Sequence, residues 1–172
     1  YEKMIRGTSA EMQGYINGKY PDARTDFDKE LRELRQEYRG PVFTFEVGQY
    51  EVLPDFDEID RFQGVTRADN LLHIRERAEE KGFLLRWKRW VEATGELALL
   101  GYREEIEAVL RTKELSGISL LGLQDFPGQG TALVGMLNSH LEPKPFLFAR
   151  PERFRAFFAP ALPLALLEKY TW

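Results

Sequence analysis

The stretch Pro41-Val42-Phe43-Thr44-Phe45-Glu46-Val47-Gly48 decides how the rest of the chain is read. It is short, β-branched and aromatic, and Pro41 and Gly48 bound it, which is the pattern of a buried strand. The first forty residues read as helical and polar: Thr25-Asp26 offers a helix N-cap, and Phe27, Leu31, Leu34 and Tyr38 follow at helical spacing until Gly40-Pro41 stops them. Earlier still, Gly14, Gly18 and Tyr20-Pro21-Asp22 read as loop. Downstream, Leu53-Pro54-Asp55-Phe56-Asp57 is a turn rich in carboxylates. Helical patterning then fills Arg67 to Lys113 in three pieces. The first carries Leu71, Ile74 and Ala78 and ends at Gly82; the second begins at Phe83 and stops at Gly95. The third places Leu99, Tyr102, Ile106, Val109 and Leu110 on one stripe. After Gly117, the run Ile118-Ser119-Leu120-Leu121-Gly122-Leu123 is a second strand, apolar enough to be buried on both faces. Beyond Asn138 prolines punctuate the chain, and a helix is predicted from Pro151 to Phe158 with Pro in its first turn.

Composition sets the outer limits. The chain has 172 residues, 43% hydrophobic and 13% aromatic, which supports one domain over 1–172 with a real core. With 24 Lys and Arg against 28 Asp and Glu, the net charge of −4 disfavours nucleic acid and anionic lipid as partners. Cysteine is absent, so thiolate metal sites, disulfides and a cysteine nucleophile are excluded. No apolar run reaches the roughly 18 residues of a membrane-spanning helix. A start at Tyr1 rather than Met reads as a trimmed chain, which would hide an N-terminal signal; a cytoplasmic location is the working expectation.

Two buried-looking strands separated by long helices suggest a parallel βα architecture. Two parallel strands alone leave faces and edges uncovered, so the chain reads as part of a larger sheet. In such folds reacting groups gather at the C-terminal ends of strands. Glu46 sits at that end of the first strand, followed by Val47-Gly48-Gln49-Tyr50. Desolvated there, it can serve as nucleophile or acid/base, or it can pair with an arginine at the sheet's rim. Asp125 has the same placement after the second strand, within Gln124-Asp125-Phe126-Pro127-Gly128-Gln129-Gly130. Two carboxylates at one end of a sheet are what glycoside hydrolysis uses; the alternative is an ordinary turn aspartate.

Other clusters read as structural. Arg86-Trp87-Lys88-Arg89-Trp90 alternates basic and aromatic residues, but Trp87 and Trp90 share a helix face and are assigned to packing. His73 and His140 are far apart and have no i, i+4 partner, so no zinc pattern exists and no metal is expected. The acidic run Glu51, Asp55, Asp57, Glu58 and Asp60 lacks the spacing of a calcium loop and is read as solvated surface.

The segment from Pro41 to Tyr50, continued by Pro54-Asp55-Phe56 and Phe62-Gln63-Gly64-Val65, resembles family 2-type glycoside hydrolases, the β-galactosidase and β-glucuronidase relatives. Gly117 to Gly135 resembles the last barrel strand and following loop of those proteins. The resemblance implies an α/β fold: a partial TIM (β/α)8 barrel, its last two to four βα units, helix-rich, with 142–172 as the exit tail. It implies a retaining O-glycosyl hydrolase in carbohydrate metabolism, with Glu46 as nucleophile and no cofactor. Gln49, Tyr50, Gln124 and Asp125 are implied to line the sugar pocket, with Tyr50 orienting the nucleophile. The family's general acid lies in an Asn-Glu pair, and no Asn-Glu occurs here. The expectation is therefore a catalytic-domain fragment, inactive alone, whose partners are a carbohydrate and either the missing N-terminal half or a second copy at an exposed sheet edge. The alternative is a non-catalytic module that binds sugar or protein.

Overall fold

The computed structural model describes residues 2–4, 26–126 and 133–164. The expected loop at Gly14–Asp22, the loop residues Pro127–Thr131 and the end of the tail lie outside these. Glu2–Met4, expected within a helical segment, is instead strand β1, because it pairs with the strand after Pro41; helix α1 (Asp28–Glu37) runs where Phe27, Leu31 and Leu34 forecast it. Phe27 and Leu31 are buried, and the α1 C-terminus is tied down where Arg35 pairs with Glu114 at 2.8 Å and donates to the Gly40 carbonyl at 2.6 Å.

The expected strand after Pro41 is broken in two: β2 (Phe43–Phe45) and β3 (Val47–Gly48), with Glu46 between them. β1 pairs in parallel with β2, Glu2 opposite Phe43. β3 pairs in parallel with β4 (Leu120–Leu121), Val47 opposite Leu120 and Gly48 opposite Leu121. An isolated parallel bridge joins Phe43 to Gly117, and buried Thr44 accepts from the Ser119 N–H through Oγ1 at 2.9 Å.

These ladders overturn the partial TIM barrel. Helix dominates the described residues, and strand is confined to segments of two or three residues. The physical cause is local. Glu46 at φ 57° interrupts the first strand, and Gly122 at φ 79° ends the second, so neither can extend the ladder into a barrel wall. The second strand is not buried on both faces either: Leu121 and Leu123 are exposed.

Helix α2 (Asp69–Glu80) falls inside its expected limits. The next two expected helices are one, α3 (Trp87–Arg111), 25 residues long and passing straight through Gly95. Gly95 is a contact glycine rather than a stop: a Cβ there would lie 2.1 Å from the Phe148 ring. α3 is the core's axis. Its Val91, Ala98, Leu99, Tyr102, Ile106 and Val109 pack with Val42, Val47, Val52 and Phe148. Trp87 is buried as expected, stacked on Phe56 at 4.6 Å with its indole N–H given to the Pro54 carbonyl at 2.8 Å. Helix α4 (Pro151–Arg155) starts on its proline and continues as a 3-10 turn over Ala156–Phe158. No helix among the described residues is long and apolar enough to cross a membrane.

Candidate functional site

Because β3 and β4 run parallel, the chain leaves both at the same end, and this brings the segments after Gly48 and after Leu121 together. The first segment is unusual in its backbone. Glu46, Gly48 and Gln49 have φ of 57°, 107° and 72°, three left-handed residues among four. Glycine takes that conformation freely; Glu and Gln do so at a cost of about 1–2 kcal/mol each. Gly48 is also required sterically, since a Cβ would sit 2.3 Å from the Tyr102 ring. Glu46 is half-buried, with its Oε2 enclosed by protein.

Two polar side chains one turn apart on α3 hold this segment. Glu105 is fully buried; its Oε2 accepts the Gly48 N–H at 2.7 Å and its Oε1 accepts the Tyr50 hydroxyl at 2.9 Å. Burial pushes its pKa up to about 7, against the opposing pull of those two donors. Tyr102 takes a backbone hydrogen bond from Gln49 and donates its hydroxyl to the Gly122 carbonyl at 2.9 Å, so it bridges the two strand ends. Burial raises its pKa as well.

The sequence-expected residues separate into two groups. Glu46, Gln49 and Tyr50 share the left-handed segment, and the Tyr50 hydroxyl goes to Glu105. Gln124 is exposed and bridged in parallel to Leu137. Asp125 is buried and committed elsewhere: Oδ1 accepts the Gly135 N–H and both oxygens contact Lys144 Nζ, all at 2.9 Å. Both side chains of that ion pair are nearly inaccessible, 1% for Lys144 and 3% for Asp125. Burial raises the Asp125 pKa and Lys144 opposes it.

Beside Asp125 lies a cavity of about 10 Å³, the size of one water, lined by Asp55, Glu58, Phe62, Asn70, Leu71 and Ser139 among others. Asp55 and Glu58 are buried, which corrects the reading of the acidic run as solvated surface. The reason is the 3-10 turn Phe56–Arg61, which turns Glu58 inward while Asp57 points out to Lys88. Glu58 has its pKa raised to about 7, first by burial and then by the Asp125 charge.

Sequence reasoning missed Glu105, Glu58 and Lys144. For Glu105 a signal existed: an acid at the core-facing spacing of Tyr102, Ile106 and Val109. Glu58 sits in an acidic run without periodicity, and Lys144 between two prolines, so neither stood out. No cluster of three or more metal-ligating side chains occurs among the described residues. No protein-family model matches the chain, and neither does any curated protein.

Proposed function

We propose that this chain carries the nucleophile side of a retaining glycoside-hydrolysing site of the family 2 type, with Glu46 as the nucleophile. The observation that supports the reading is the left-handed Glu46 itself. A glutamate held at φ 57° between two paired strand segments is a strained conformation that the surroundings must enforce, and such strain collects at reactive sites. The Glu46 carboxylate would attack the anomeric carbon as the bond to the aglycone oxygen breaks. Water would then cleave the glycosyl ester and restore the carboxylate. Gln49 and exposed Gln124 would hold sugar hydroxyls, while Asp125 and Tyr50, both occupied internally, would shape the pocket wall.

The general acid is not supplied by Glu105 or Glu58, whose pKa values are raised to about 7. Glu105 has both oxygens hydrogen-bonded inside the core, and the cavity beside Glu58 admits a water, not a sugar. Without a proton donor, ordinary glycosides should turn over about 10²–10⁴-fold more slowly. The test therefore uses activated leaving groups, which depart without protonation. The protein is exposed to a panel of dinitrophenyl 2-deoxy-2-fluoroglycosides and its intact mass is read. One fluorosugar added per chain, and lost in Glu46→Gln, is expected. No adduct with any sugar, or one that persists in Glu46→Gln, refutes the reading.

A further inference from the structure

A fully buried carboxyl is an expensive way to fill a core position, and a leucine or methionine in that space would cost less. What Glu105 adds is two hydrogen bonds, and both go to the segment that carries Glu46. The Gly48 N–H is buried and points toward α3, away from any ladder partner on β4, so it needs an acceptor from elsewhere. The Tyr50 ring packs so close to α3 that a Cβ at Gly101 would lie 2.5 Å from it, and its hydroxyl reaches Glu105. The chain between these two anchors contains Gln49 at φ 72°, and Glu46 at φ 57° lies just before the first. A conformation this unfavourable persists only while its neighbours enforce it.

We propose that Glu105 is the positioning residue of the site: by taking the Gly48 N–H and the Tyr50 hydroxyl, its carboxyl fixes the left-handed segment in the shape that presents Glu46. The assignment of Glu46 as a nucleophile rests on the function proposed above; the fixing of the segment does not. Glu105→Gln keeps an acceptor for Gly48 and places an amide donor against the Tyr50 oxygen, so it should keep the segment in place. Glu105→Ala removes both anchors.

Two readouts on the full chain separate the claims. The first is amide hydrogen exchange by NMR, with the Val47 N–H, bonded to the Ser119 carbonyl at 3.1 Å, as internal reference. In Glu105→Ala, Gly48 should exchange at least about tenfold faster relative to Val47 than in the wild type; Glu105→Gln should restore the ratio. If Gly48 and Val47 accelerate together, Glu105 merely supports the core and the proposal falls. The second readout is the rate of fluoroglycoside labelling at a temperature where every variant is folded. Glu105→Ala should label at least about tenfold more slowly, since a misplacement of about 1 Å can cost about 10²-fold. Phe148→Leu, a core truncation that touches neither anchor, should label at the wild-type rate. Equal rates for Glu105→Ala and wild type, or an equal loss in Phe148→Leu, overturn the positioning role. If the wild type takes no label at all, the glycosidase reading fails, and the exchange ratio alone decides whether Glu105 fixes the segment.

Discussion

Replacing Glu105 by glutamine should change how stability depends on pH. The folded-state pKa of Glu105 is about 7, against 4.5 for a free glutamate. A carboxyl raised on folding stabilises the fold fully below the unfolded value. That stability is lost as pH climbs from about 4.5 through about 7, because the unfolded chain ionises first. Integrated with about 1.4 kcal/mol per pKa unit, the loss from this one group between pH 5 and pH 7 is about 2 kcal/mol. Glu58 loses stability in the same window and the same direction. The difference between wild type and Glu105→Gln cancels that and every other shared titration. The assay is urea unfolding of both proteins at half-unit steps from about pH 5 to about pH 8. Any fixed cost of the amide shifts one curve bodily; the expected result is a gap that moves in favour of Glu105→Gln by about 2 kcal/mol as pH rises. Parallel curves would mean that Glu105 ionises as freely in the fold as in the unfolded chain, and the argument from its burial would fail.

Two further outcomes follow from particular contacts. Asp125→Ala leaves the Lys144 ammonium buried without its partner and should cost about 3–5 kcal/mol by urea unfolding. Adding Lys144→Met should recover a large part of it, and a loss under about 1 kcal/mol in the single variant would show that Lys144 reaches water. At Glu46 the backbone is left-handed, so Glu46→Gly should be more stable than Glu46→Ala by about 1 kcal/mol in thermal unfolding. An alanine variant as stable as the glycine one would remove the strain on which the nucleophile assignment leans.

The sequence by itself determined the local elements. Helix α1 with its stop at Gly40-Pro41, helix α2, the Pro-led α4, the packing of Trp87 and the parallel sense of the strands after Pro41 and after Gly117 were legible; strand β1 was not. Each rests on apolar spacing or on Gly and Pro punctuation, which act over a few residues. Glu46 and Asp125 were legible as acids following apolar strands, and the parallel pairing does bring the two strand ends together.

Tertiary structure decided what those residues are joined to. Gly95 carries the same sequence signal as a helix stop, and only the Phe148 ring packed against it makes it a contact point inside α3. The strand after Pro41 is continuous by composition, and only the folded chain shows its break at Glu46, at φ 57°, next to a Gly48 N–H held by Glu105, 57 residues away. Asp125 is a buried ion-pair partner because Lys144, 19 residues on, folds back onto it. The partial barrel was implied by the resemblance of Pro41–Tyr50 and Gly117–Gly135 to family 2-type glycoside hydrolases, not by strand content. It failed because ladder length is set by backbone dihedrals and distant partners, and neither is written in the local pattern of side chains.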